Sequence, residues 1–158
     1  MTMFREMRRF KQALSQTECE ELLRREPRGV LALHGEDGYP YALPINQLYL
    51  DGKLYFHCAK EGHKLDAIAA DQRASFCLMD QGVRNAGEWW LNIRSVIAFG
   101  RVRRVTDPQR VAHVARQLGL KHYPTEDGVE EELAKALDRV AILEMTIDHM
   151  TGKRVTEN

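Results

Sequence analysis

Residues 54–68 read L-Y-F-H-C-A-K-E-G-H-K-L-D-A-I, and the change of period inside this stretch decides the fold. Leu54, Phe56 and Cys58 alternate with Lys53, Tyr55 and His57, the two-residue period of a β-strand whose side chains point to opposite faces. After Gly62 the apolar residues Leu65, Ile68 and Ala69 return at helical spacing, so the polar run 60–64 spans a strand-to-helix junction. Such a junction suits an anion. The first turn of a helix leaves backbone N–H groups without partners, its dipole adds partial positive charge, and a glycine lets a ligand approach the backbone. Lys64 adds a point charge, and His63 adds a ring whose protonated form a nearby anion favours.

Upstream, residues 29–33 (G-V-L-A-L) form a short apolar strand, G-E-D-G at 35–38 is a turn, and 39–50 is a second strand. Asp51-Gly52 is a type I′ turn signal leading straight into the Leu54 strand, so three strands form an antiparallel meander. Pro40 and Pro44 cannot donate to a ladder and mark an edge, a bulge or a barrel corner. Ser15 with Glu18 is a capping box, and Cys19, Leu22 and Leu23 define a short amphipathic helix that ends before Pro27 and covers a barrel opening.

Downstream, a helix over 63–70 is followed by a strand over 74–79 and a polar loop over 81–88 closed by Trp89 and Trp90. A long strand follows over 92–105, where Gly100 marks a bend or a close backbone approach. Asp107 and Pro108 start a helix running to about Leu118, 121–128 is a loop, 129–137 is a helix, and 140–147 is a final strand. Six strands with peripheral helices give an α+β, mainly antiparallel architecture: a small closed or split β-barrel.

Composition narrows the partners. The chain has 158 residues, 44% hydrophobic, enough for a single domain over 15–158, preceded by a basic arm over 1–14. Lys+Arg and Asp+Glu balance at 23 each, so no global field draws the chain to nucleic acid or an anionic membrane. Cys19, Cys58 and Cys77 form no C-x-x-C pair and sit in apolar-periodic segments, as reduced thiols do. The opening M-T-M-F-R-E-M-R-R-F lacks the apolar core of a secretory signal, and no run is long enough to span a membrane; the expectation is a cytoplasmic protein.

The order F-H-C-A-K-E-G-H-K resembles the phosphate-binding segment of the FMN-binding split-barrel flavoproteins, the superfamily of pyridoxamine 5′-phosphate oxidase, and most of all its nitroimidazole-resistance-like branch. Three more stretches agree in order: G-Y-P-Y-A-L-P-I-N at 38–46, R-S-V-I-A-F-G-R-V at 94–102 and I-D-H-M-T-G-K at 147–153. The resemblance implies a six-stranded split barrel, a homodimer with FMN at the subunit interface, and a small-molecule acceptor. It places His57 and Cys58 at the family's Tyr-Thr pair, and Gly62, His63 and Lys64 at its Ser-Arg-Lys phosphate ligands. Ser95 stands where the oxidase has a glutamine that hydrogen-bonds the flavin ring. The oxidase carries an arginine and a lysine on the strand equivalent to 43–48, where this chain has apolar residues and Asn46. Phosphate charge must then rest on Lys64, His63 and backbone donors. The oxidase's late tryptophan and arginine, which hold its substrate's phosphate, have no counterpart in I-D-H-M-T-G-K, which removes pyridoxamine phosphate as a substrate.

His57 is the candidate catalytic residue, a polar group beside flavin or substrate, and it reads equally well as a structural strand histidine. A zinc site at His57, Cys58 and His63 is disfavoured because adjacent strand residues face opposite sides. Trp89 and Trp90 read as core or interface anchors before flavin-stacking rings, His34, His113, His122 and His149 as surface residues, Cys19 and Cys77 as buried thiols, and Lys121-His122-Tyr123 as a solvated loop. Two functions remain: an FMN-dependent oxidoreductase reducing an aromatic or nitroaromatic acceptor, or a module holding flavin, deazaflavin or haem without turnover.

Overall fold

Gln47 decides how the sheet closes. In the computed structural model, which describes residues 4–157, the run expected as one strand over 39–50 is two: β2 (Pro40–Asn46) and β3 (Leu48–Leu50). The Gln47 side chain is fully buried and its Nε2 donates to the carbonyls of Leu23 at 3.2 Å and Glu26 at 2.8 Å, at the end of helix α1 (Gln16–Arg25). Its own carbonyl accepts from Lys121 Nζ at 2.9 Å. With those groups committed to helices, residue 47 leaves the ladder.

The sheet therefore has seven strands, not six. The others are β1 (Arg28–His34), β4 (Lys53–Ala59), β5 (Arg73–Met79), β6 (Asn92–Arg104) and β7 (Val140–Thr156), in the order β2-β1-β5-β6-β7-β4-β3 with every pairing antiparallel. The two edges, β2 and β3, are joined by the single residue Gln47, and two backbone steps span at most about 7 Å. The sheet must curl until its edges nearly meet, which is a split barrel. Pro40 and Pro44 fall on edge strand β2, where a missing donor costs no ladder bond.

Asp51 (φ 53°) and Gly52 (φ 76°) are both left-handed, the type I′ geometry that the turn signal demands. Opposite Gly100 a bulge leaves Asp148 unpaired between Ile147 and His149, and a side chain at residue 100 would run into the Thr146 carbonyl. β7 continues through this bulge to Thr156, nine residues past the end expected from its apolar run, because β6 is long enough to pair with it throughout.

Inward residues Leu31, Leu54, Phe56, Phe76, Val96, Ala98, Leu143 and Met145 fill the barrel, and Cys19, Leu22 and Leu23 of α1 plug one end. The capping box that starts α1 is present, with the Ser15 hydroxyl accepting from Glu18 N–H and the Glu18 carboxylate from Ser15 N–H. Helix α2 (His63–Ala70) links β4 to β5. Outside the barrel, α3 (Pro108–His122) packs Val114 and Leu118 onto Tyr55, Val105 and Ile142. It runs four residues beyond Leu118, since the i+3/i+4 stripe of Val111, Val114 and Leu118 continues to Lys121 and His122, and α4 (Glu126–Ala136) starts at a Thr125 N-cap.

The arm holds a single 3-10 turn at Phe10–Gln12, an Ala13–Lys153 bridge, and Phe4 stacked on His149 with centroids 4.8 Å apart; residues 1–3 of the expected arm lie outside the described residues. Among the described residues no helix is long and apolar enough to cross a membrane.

Candidate anion and cofactor site

Alternation along β4 places the expected residues on different sides. Leu54, Phe56 and Cys58 face the core, while Tyr55 and His57 face outward. Tyr55 is covered by α3, and its hydroxyl donates to buried Glu144 at 2.8 Å. His57, one outward position further on, lies past that cover, in a recess of about 250 Å³ between β4, α3 and α4. Asn46 and His122 share its wall, with Leu118, Val129, Leu133 and Val140 as the apolar remainder. Cys58 is turned into the barrel, so its thiol does not share the outer face with His57; burial raises its pKa, and Lys64 and Arg104 pull the other way.

At the junction Gly62 is the N-cap of α2 at φ 139°, a conformation L side chains avoid, and a Cβ there would meet nothing within 4 Å. No side chain caps the helix, and its first backbone bond within the helix runs from Asp66 N–H to the Gly62 carbonyl. The N–H groups of the first turn are left for a ligand. His63 is exposed and stacks on Tyr41, ring centroids 4.1 Å apart, which fixes its ring beside β2. Lys64 lies close enough to His57 to lower its pKa, after burial, the larger cause: the imidazole is reachable by solvent but walled in by protein.

The charge around this recess is mixed: the Glu132 carboxylate lines it, while Lys121 and Arg28 lie near enough to act on His122. His122 has its pKa lowered by burial first; its contact with the Gln47 carbonyl at 3.2 Å works against this, while Lys121, His57 and Arg28 lower it further. Lys121 donates to the carbonyls of Leu23 and Gln47 and is held down to about 8 by burial. Far from a solvated loop, Lys121 and His122 are half-buried at the meeting of α1, α3 and the β2–β3 break. Arg28 reaches over from β1, its Nε donating to Asn46 Oδ1 at 3.2 Å.

Ser95 is not in the recess but in line with it. Asn46 pairs with Arg28, and Met79 with Ser95, which pairs in turn with Lys153. Extending the β1–β5 register by two residues from Val30–Cys77 sets Arg28 beside Met79. The outer face thus carries a row Asn46, Arg28, Met79, Ser95, Lys153, in which Asn46 and Ser95 are three strand spacings, about 14 Å, apart. A larger hollow of about 840 Å³ on the same face, lined by Tyr39, Arg73, Phe99 and Arg101, holds none of the residues expected for the site.

Other expectations shift. Cys77 is half-buried on the outer face rather than in the core, because it pairs with outward Val30 and Ile97. His149 is stacked beneath Phe4, not free on the surface, whereas His34 and His113 are exposed. Trp89 is 73% exposed and meets Trp90 edge-on at 5.8 Å. Sequence reasoning misses the places of Arg28 and His122 beside the recess. Arg28 precedes the apolar run of its strand and meets Asn46 only through the register. His122 carries a signal, since it stands four residues after Leu118 on the buried stripe of α3.

A curled antiparallel sheet split at one residue, with an uncapped strand-to-helix junction at the end of β4, defines a split-barrel protein. The family model for pyridoxamine 5′-phosphate oxidase matches residues 15–154, and the chain belongs to that family. No curated protein sequence matches it. Similar solved structures include a candidate 5-nitroimidazole antibiotic resistance protein from Bacteroides thetaiotaomicron (17% identity, 91% of this chain and 87% of that one, TM-score 0.76). A FAD-binding protein from Mesorhizobium loti (24% identity, 90% and 96%, TM-score 0.64) and a FAD- and haem-binding protein from Mycobacterium smegmatis (23%, 93% and 74%, TM-score 0.72) share the fold as well.

A flavin mononucleotide is the group to test against these residues. Its phosphate needs a cation and free N–H groups, which Lys64 and the uncapped first turn of α2 offer, and its ring needs a flat outer face with polar points, which the row from Asn46 to Ser95 offers. The donor set fits the group.

Proposed function

We propose that this chain is an FMN-binding flavoprotein that works as a homodimeric oxidoreductase, passing reducing equivalents to a small aromatic or nitroaromatic acceptor. The observation that carries the reading is the uncapped N-terminus of α2 opening beside Lys64 and the His57 recess, continuous with a polar row on the outer face of the sheet. Flavin, when bound, supplies the redox chemistry itself. The chain's residues bind and orient: Gly62, His63 and Lys64 hold the phosphate, Asn46 and Ser95 offer hydrogen bonds along the ring and its side chain, and His57 sets a polar, uncharged imidazole at the mouth of the recess. The apolar wall of Leu118, Val129, Leu133 and Val140 excludes water and suits a flat acceptor.

Assembly as a dimer is supported by the outer face, where Val30, Met79, Ile97 and Phe99 remain exposed on adjacent strands beside the polar row. A face this apolar calls for a cover, and a second copy would bring its own row to the same seam.

A second reading, a binding module that holds flavin, deazaflavin or haem without turnover, draws on the similar fold of the FAD- and haem-binding protein from Mycobacterium smegmatis. The two part in an anaerobic assay with FMN-loaded protein, a reduced nicotinamide donor and a nitroaromatic acceptor. Acceptor reduction well above free FMN supports the enzyme; loaded protein that turns nothing over supports the module.

A further inference from the structure

The recess between β4, α3 and α4 is mostly apolar, and its few polar groups differ in what they offer a ligand. His122 Nε2 lies 3.2 Å from the Gln47 carbonyl, and a carbonyl oxygen only accepts, so Nε2 carries the hydrogen. Burial first, and then Lys121, His57 and Arg28, disfavour a second proton on the ring. Nδ1 is then a bare lone pair. It has no hydrogen-bond partner among the described residues, and it is not one of the sealed atoms left without one, so it is open to a ligand. Asn46 offers the reverse. Its Oδ1 already accepts from Arg28 Nε at 3.2 Å, which leaves the N–H groups of Nδ2.

Size and charge narrow the ligand further. The recess holds about 250 Å³ against walls of Leu118, Val129, Leu133 and Val140, and an apolar cavity of roughly 150 Å³ holds benzene, so one substituted ring has room. A net charge gains little, because the Glu132 carboxylate on the lining answers Lys121 and Arg28 nearby, and an ion would give up water against the apolar wall. We infer that the recess takes one uncharged aromatic ring that carries an N–H donor for His122 Nδ1 and an acceptor, such as a nitro oxygen, for Asn46 Nδ2. The inference rests on the reading above, which seats the acceptor in this recess, and it narrows that acceptor to aromatics bearing an amino group or a ring N–H. His122 is the residue that makes the selection: a donor facing Nδ1 forms a bond, whereas an alkyl group facing it leaves the lone pair unpaired.

Three uncharged nitroarenes separate this contact from the rest of the recess: para-nitroaniline, N,N-dimethyl-para-nitroaniline, which lacks the N–H groups, and nitrobenzene, which lacks the amine. Their affinities should be measured by calorimetry on the purified chain with FMN added and no electron donor, so that nothing turns over. The wild-type chain should prefer para-nitroaniline to its dimethyl analogue by about three- to tenfold, the range of one neutral hydrogen bond. His122→Leu should bind the two about equally while holding nitrobenzene within about twofold of wild type, which certifies an intact recess. His122→Gln, whose amide can donate to the Gln47 carbonyl and still present an oxygen, should keep the preference. A wild-type chain without the preference, or a preference that survives in His122→Leu, would overturn the inference. Binding of none of the three rings would overturn it too, and with it the seat of the acceptor. FMN uptake is read from the flavin spectrum of the same samples: a chain that takes up no FMN but shows the preference and its loss supports the inference and overturns the flavin reading alone.

Discussion

In the proposed flavin site, Lys64 is the single side chain on which phosphate binding turns. It is the lysine of the first turn of α2, which also carries Asp66, and its field reaches both His57 and Cys58. Lys64→Ala should weaken FMN binding by about 1–3 kcal/mol, the worth of a charge-assisted contact, measured by flavin titration at fixed ionic strength. Flavin affinity equal to wild type would remove Lys64 from the site. Lys121 makes a different prediction, about stability. Burial holds its pKa near 8 against an ordinary 10.5, so between those values the unfolded chain binds more protons than the folded one. Stability therefore carries the full cost of burying this charge below pH 8 and recovers as pH rises from 8 toward 10.5. Denaturation curves for wild type and Lys121→Met across that window should show a rise in the wild type that the variant lacks; parallel curves would contradict it. The two lysines also mark what a sequence discloses at this scale. Lys64 is legible because strand period, glycine and helix period meet around it. Lys121 is not, because only the tertiary meeting of α1, α3 and the β2–β3 break buries it.

Elements are held in register by two buried polar groups that no periodicity announces. Gln47 ends β2, begins β3 and caps the last carbonyls of α1. Gln47→Leu should cost about 1–3 kcal/mol in chemical denaturation, since it strips the Glu26 carbonyl of its side-chain donor inside the protein; a cost within error of zero would show that the break in the strand does not depend on this side chain. Glu144, on β7, gathers Tyr55, Lys53 and Arg103, and the Tyr55 hydroxyl in turn accepts from Arg110 of α3 at 2.8 Å. Burial alone would raise the Glu144 pKa, but these bonds win and lower it. Glu144→Ala, which leaves a buried phenol and two cations without their acceptor, should destabilise by about 2–4 kcal/mol and loosen α3 over the recess, visible as faster amide exchange in 108–122. The starts of α1, α2 and α3, the Asp51-Gly52 turn and the alternation of β4 are written in the sequence itself, since each is fixed within four or five residues, whereas α4 begins three residues before the expected 129. The split of β2 from β3, the length of β7 and the end of α3 are not, since partners distant in sequence fix them.

At the scale of the whole molecule the outer face of β1, β5 and β6 is where the proposed dimer would form. Ile97→Glu places a charge at the centre of that face, between Cys77 and Thr151. It should yield a monomer in sedimentation velocity and weaken FMN uptake together with the loss of assembly. A dimer unaffected by the change, or a clean monomer that still holds FMN tightly, would contradict a shared interface. The family is legible from four short stretches in order, because a binding junction is local. The placing of Arg28 beside Asn46 and of His122 on the recess wall depends on register and packing and appears only in the closed barrel. The central claim, that this barrel holds a flavin by its phosphate, is tested most directly by titrating the purified chain with FMN while recording absorbance and fluorescence. The account predicts saturable uptake at one site per chain, with a shifted flavin spectrum and quenched emission; free-flavin spectra throughout, or a Soret band from haem in its place, would contradict it.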